Sequence, residues 1–220
     1  MARVTSTHAD LQGTIGNTII YEVNGEKFAR KTPRKLTSKE KENRPPTELQ
    51  LFHQQKLSLA SDFLFPIMEV IEFGYHNFKS GMKRGIHQAT SNLMNKALYF
   101  NEEEELLVDP AQVMISQGKL TGFSNPSAAW TEEGKVRLQW DNNTGIADAK
   151  AKDQVVILLY HLRSKLSFAV LQGNFRSQQQ QEILAPLQFQ GELHIYIAFS
   201  RHIKRGRKFD ISDSEYLGVI

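Results

Sequence analysis

The stretch TELQLFHQQKLSLASDFLFPIMEVIEFGYHNF, residues 47–78, decides how the rest of the chain is read. Leu49, Phe52, Lys56, Leu59 and Phe63 recur at steps of three and four, and Ile67, Val70, Ile71 and Tyr75 continue the stripe. That period places them on one face of a helix. Thr47 follows two prolines and is placed to cap the first turn, and Glu48 suits the positive end of the helix dipole. Pro66 falls inside the pattern; it removes a backbone hydrogen bond, at roughly 3 kcal/mol in a helix interior, and predicts a kink or break. Gly74 is the predicted stop. A stripe of this kind is a packed core face or a surface that docks on another subunit. Its apolar run, residues 63–68, is too short to span a bilayer.

Upstream, Thr18-Ile19-Ile20-Tyr21 and Lys27-Phe28-Ala29-Arg30 are two β-prone runs around Asn24-Gly25, a hairpin signature. Gly13 and Gly16 mark a loop or a close backbone approach before it. They do not form a P-loop, because the Lys-Ser/Thr ending and the following helix are missing. A lone hairpin is marginal in water, so this one is expected to pack on the chain or extend a neighbour's sheet. Gly13, Gly16, Ile19, Tyr21 and Phe28 are the candidate assembly residues of this arm. A basic run follows, comprising Lys27, Arg30, Lys31, Arg34, Lys35, Lys39, Lys41 and Arg44, diluted by Glu40 and Glu42 and spaced by prolines. It reads as an extended connector or as a contact for phosphate or another acidic surface.

Downstream, Ile86, Ala89, Leu93, Ala97 and Phe100 fit a second helix within residues 80–100, antiparallel to the first. Asn92 and Asn95 lie on or beside its apolar face and are expected to bond loop backbone. Asn101 and the four glutamates after it read as a solvated turn, and residues 111–120 as a strand with Val113 and Ile115 on one face.

From about Phe123 the composition changes. Seven β-prone segments follow at residues 126–130, 135–140, 154–161, 166–171, 182–187, 193–199 and 215–219, separated by turn signals. Val136, Leu138 and Trp140 alternate, as do Leu193, Ile195, Ile197 and Phe199, predicting half-buried strands. Residues 155–159 are apolar throughout and predict a central strand covered on both faces. A basic loop with Arg201, Lys204, Arg205, Arg207 and Lys208 precedes the last strand; Arg205 and Arg207 join the candidate anionic contacts.

Composition narrows function by exclusion. The 220 residues contain no cysteine, which removes disulfides and thiolate metal sites. No secretory signal or transmembrane run is read at the N-terminus, and the chain is expected to be soluble and cytoplasmic. The seven histidines show no ligand spacing and no H-E-x-x-H, and no G-x-S-x-G elbow occurs. Asp148 and Asp153 flank two lysines without the oxygen density of a calcium loop, and Asp109 before Pro110 reads as a turn former. The reading is therefore non-enzymatic, with no catalytic residue, metal or cofactor expected.

The Trp-ended second strand and Tyr196 in the sixth make the last hundred residues resemble a fibronectin type III module of the immunoglobulin-like class. The whole chain resembles a family of uncharacterised proteins of this length, common in Bacteroidetes and known only as a domain of unknown function. The residues carrying that resemblance are Gly13-x-x-Gly16, Arg30 and Pro33; Gln50 and Gln54; Phe63-Leu64-x-Pro66 with Gly74-Tyr75; and Asn92 and Ala97. They continue through Ser116-x-Gly118-x-Leu120, Trp140-x-x-Asn143, Asp153, Tyr160, Arg176, His194-x-Tyr196-x-Ala198-Phe199 and Ser214-x-Tyr216-x-Gly218. The resemblance implies a two-part protein with a sandwich-like end and supplies no activity.

The expected fold is α+β: an arm over residues 1–46, a helical region with one strand over 47–122, and an immunoglobulin-like sandwich over 123–220. The expected function is a structural protein that assembles with copies of itself, as a homo-oligomer, filament or tube, through the arm. Two alternatives stand beside it: nucleic-acid binding by residues 27–44, and an adaptor that holds a protein or glycan in sandwich loops. No membrane partner is expected.

Overall fold

Residues 47–78 break into two helices. Helix α1 runs Glu48–Leu64, a 3-10 turn takes Phe65–Ile67, and α2 runs Met68–Gly74. Pro66 sits in that turn, where its missing N–H forces the break. Thr47 and Gln50 cap α1 reciprocally: Gln50 N–H donates to Thr47 Oγ1 (3.3 Å) and Thr47 N–H to Gln50 Oε1 (3.0 Å). Gly74 is the last residue of α2, and a side chain there would run into the carbonyl of Ile115 and the Cβ of Ser116. The stripe is buried only from Ala60 onward; Leu49, at its start, is 65% exposed.

The computed structural model describes residues 2–3, 12–23, 25–35, 37–38, 45–131, 134–203 and 208–220, and for Ala2, Arg3 and Lys208 the backbone alone. The chain divides into two compact units, Met1–His53 with Lys79–Lys83, and Gln54–Phe78 with Arg84–Ile220.

The first unit is built on an antiparallel four-stranded sheet in the order β1-β4-β3-β2. Its strands are β1 (Ala2–Arg3), β2 (Gly13–Ile15), β3 (Thr18–Val23) and β4 (Glu26–Lys31). β3 and β4 are the predicted hairpin, in register Tyr21↔Phe28, with Gly25 at φ +80° in the turn. Of the two expectations for this hairpin, packing on its own chain and extending a neighbour's sheet, the first describes its two edges. The chain's own β1 and β2 pair with its outer edges.

Among its described residues the second unit holds α2, the second part of α1, α3 (Gly85–Lys96) and ten strands. α3 stops at Lys96, short of the predicted Phe100. Leu98–Phe100 form β5, which pairs with β6 (Leu106–Val108) around the glutamate run. Residues 111–120 are not a strand. Val113 and Ile115 are buried as read, but β-type pairing there is limited to a parallel bridge from Leu120 to Ser212.

The seven predicted C-terminal segments all meet strands, and one further strand appears between the last two. They are β7 (Ser127–Thr131), β8 (Lys135–Gln139), β9 (Gln154–His161), β10 (Leu166–Val170), β11 (Gln180–Leu184), β12 (Leu193–Ile203), β13 (Lys208–Ile211) and β14 (Glu215–Val219). One sheet has the order β11-β8-β7; the other is β10-β9-β12, with β14 along the first half of β12 and β13 along the second. Val136, Leu138 and Ile183 from the first sheet share a core with Ile157, Ile195 and Phe199 from the second. Leu158, Tyr160 and Tyr196, on the opposite face of the second sheet, pack with Phe63, Leu64 and Ile71 of the helices. β9 is thus covered on both faces, as its uninterrupted apolar run predicts. β12 is covered on both faces too, correcting the half-buried reading, and Tyr196 and Ala198 are as buried as Ile195 and Ile197.

Candidate functional site

The side chains of the N-terminal sheet alternate between two faces, and register fixes which share one. Ile19, Tyr21 and Val23 lie with Phe28 and Arg30. Tyr21 and Phe28 stack at 6.0 Å, the Arg30 guanidinium sits 5.8 Å over the Tyr21 ring, and the Tyr21 hydroxyl donates to Met82 Sδ at 3.5 Å. Three of the predicted assembly residues therefore meet, on the face that the unit's own segment 79–83 touches. The other face carries Ile15, Ile20 and Ala29 with Lys27, Lys31 and, directly opposite Lys27, Glu22. Gly13 and Gly16 hold left-handed φ of +122° and +55° around β2, so a turn requires them. No residue of this sheet whose side chain is described is buried, and Ile15 is 53% exposed.

Among the described residues the predicted anionic contacts do not share one face of the sheet. Lys27 and Lys31 share a face, Arg30 takes the opposite one, and Arg34 and Lys35 follow in exposed extended chain. Lys39, Arg44, Arg205 and Arg207 lie outside the described residues. Arg201 is corrected: it belongs to β12 rather than a loop, and its Nε donates to Asp153 Oδ1 at 2.6 Å.

Five of the residues that carry the family resemblance, Trp140, Asn143, Asp153, Arg176 and Phe199, meet in one buried cluster. Arg176 and Asp153 are both fully buried and bond through Nε and Oδ2 at 3.2 Å. Arg176 also donates to Asn143 Oδ1 (2.6 Å) and to the carbonyls of Gly122 (2.8 Å) and Thr121 (2.7 Å). Its guanidinium lies 3.7 Å over Phe199, and its carbonyl accepts from Trp140 Nε1 at 2.9 Å. Burial pulls the guanidinium pKa below its usual value, and Asp153 opposes that pull. With the donors met and no solvent access, this is a lock between loops of the two sheets rather than a reactive centre. Asn92 is likewise structural, but against expectation it bonds side chains, donating to the Tyr75 hydroxyl (3.1 Å) and Gln117 Oε1 (3.0 Å). Asn95 donates to Ser91 Oγ at 3.4 Å. Burial pushes the Tyr75 and Tyr160 hydroxyls up to about 12.

One cluster escaped the sequence reading. His161 Nδ1 lies 2.5 Å from Ser164 Oγ and its Nε2 2.5 Å from Glu192 Oε2, an order that resembles a nucleophile, base and orienting acid. Contact with the imidazole holds the Glu192 carboxyl below its usual range. The Ser164 N–H also donates to Nδ1 (3.2 Å), within the turn between β9 and β10. These bonds tie the turn between β9 and β10 to Glu192. A cleft of about 390 Å³ is lined by Asn125, Ser127, Asp141 and Gln178–Gln180 among others. Another, of about 460 Å³, is lined by Asn77, Phe78, Gln117, Lys119 and Asp210. Among the described residues no group of histidine and carboxylate side chains is placed to hold a metal ion, and no helix is long and apolar enough to cross a membrane.

A family model described as a family of unknown function (DUF6266) matches residues 10–218. No curated protein and no solved structure matches the chain.

Proposed function

The chain belongs to the DUF6266 family of unknown function, and from that premise we propose that it is a non-enzymatic structural protein whose N-terminal arm joins copies of itself. One observation carries the reading. A four-stranded sheet with its hydrogen-bond ladders in place buries none of its described side chains. Sheets gain stability by covering an apolar face, and a sister copy is a source of that cover. The strand orders β11-β8-β7 and β10-β9-β12-β14, packed about one core, support an immunoglobulin-like sandwich of fibronectin type III kind as the second part. The absence of cysteine suits a cytoplasmic setting. Light scattering and negative-stain microscopy on the full chain and on a chain lacking residues 1–35 test the reading. Assembly of the full chain, lost on deletion while the sandwich stays folded, is the expected result. Intact assembly after deletion removes the arm as connector.

A second reading is nucleic-acid binding by residues 27–44, favoured by the exposed Lys31, Arg34 and Lys35. Phe28 is engaged with Tyr21, which leaves that segment without a ring for base stacking. Affinity that falls steeply with salt is its signature. An adaptor role is supported by the amide-lined cleft, and capture of a stoichiometric protein or glycan partner would identify it.

A further inference from the structure

We infer that the second face of the N-terminal sheet is a docking site for the β5–β6 hairpin of another copy of this chain. The inference rests on the assembly reading above and names the two surfaces that meet. Charge is the first argument. Among the described residues the second face carries Lys27 and Lys31 against Glu22 alone, and Arg34 and Lys35 follow β4 in the chain. Residues 98–108 carry four consecutive glutamates, 102–105, and no cation. Opposite fields of this kind steer association and fix register.

Shape is the second argument. On the sheet, Ile20 lies beside Ala29, which separates Lys27 from Lys31, and Ile15 shares a row with Thr18 and Lys31; Gly13, opposite Ile20, projects no side chain over it. On the hairpin, Tyr99 and Leu107 are directly opposed and 46% and 36% exposed. One pair, Phe100 and Leu106, separates them from the glutamate tip, so apolar and acidic side chains lie close together on the hairpin as apolar and basic ones do on the sheet. The tip is held in place before any partner arrives. Asn101 Oδ1 accepts from the N–H groups of Glu103 (3.1 Å) and Glu105 (2.7 Å), which lowers the ordering entropy to be lost on binding. Each copy carries both surfaces, so the contact is head to tail and propagates.

Charge reversal in two separate chains tests this. One chain carries Lys27→Glu and Lys31→Glu; the other carries Glu102→Lys, Glu103→Lys and Glu104→Lys. Circular dichroism confirms that each is folded, and light scattering gives the mass. Alone, each chain faces like charge with like, and its association is expected to weaken roughly a hundredfold. Mixed in equal amounts, the sheet of each meets a hairpin tip of opposite sign, and the wild-type mass is expected to return. An assembled wild type whose mass neither set of substitutions lowers overturns the docking and leaves the assembly reading standing. So does a mixture that fails to reassemble from monomeric parents. A wild type that is monomeric at every concentration overturns both.

Discussion

Arg176 shows what a side chain can do that its spacing in the sequence does not declare. Its partners Asp153 and Asn143 lie 23 and 33 residues away, and nothing periodic links them. The sequence shows these residues only as points of family resemblance; their shared burial comes from tertiary folding. Arg176→Met leaves Asp153 buried beside Arg201 alone, and a loss of about 3 to 5 kcal/mol in urea unfolding is expected. Replacing Arg176 and Asp153 together by apolar residues is expected to cost less than the single change, because no buried charge is stranded. His194 makes a pH prediction. Burial lowers its pKa, with His161 a lesser cause, and its Nδ1 lies 2.8 Å from the Tyr216 hydroxyl. The unfolded chain then takes up the proton first. The stabilising neutral form holds above the unfolded value of about 6.5, and stability falls as pH drops through the folded value. His194→Gln is expected to flatten that part of the curve of unfolding midpoint against pH.

At the level of elements, periodicity located burial better than it located hydrogen bonding. Val113 and Ile115 are buried on the predicted spacing, yet their segment has no ladder. Ile115 N–H donates to Ser214 Oγ (2.9 Å), Ser116 Oγ to the Ser212 carbonyl (2.9 Å), and Gly118 N–H to Asp213 Oδ1 (3.0 Å). Hydroxyls and a carboxylate replace a partner strand, which alternation of apolar residues cannot reveal. Gly118 makes that approach possible, since a Cβ there would strike the Ile211 carbonyl. Gly118→Ala is expected to lower stability by about 1 to 3 kcal/mol in denaturant titration, through overpacking against backbone. The helical stripe was legible in the same partial way. Pro66 and Gly74 punctuate the chain where read, because each acts locally, whereas exposure of Leu49 depends on what the rest of the chain leaves uncovered. α3 was read too long because β5 follows it after one residue, and the ladder from Leu98 to Val108 is a non-local pairing.

At the level of the whole molecule, the β-rich end was legible and the N-terminal sheet was half legible. Strand signals repeat in the former at short intervals. In the latter, Asn24-Gly25 announced the hairpin, while the added strands Ala2–Arg3 and Gly13–Ile15 are too short to carry a pattern. Those additions shift the physical argument from open hydrogen bonds to open faces. The second unit has two packed cores, and the first has a sheet without a buried side chain among those described. The imbalance is what the assembly reading rests on, and sedimentation equilibrium of the full-length chain over a wide concentration range addresses it most directly. The account predicts a mass that climbs above 25.1 kDa as concentration rises and falls back as salt is added. A mass that stays at the single-chain value throughout would contradict it.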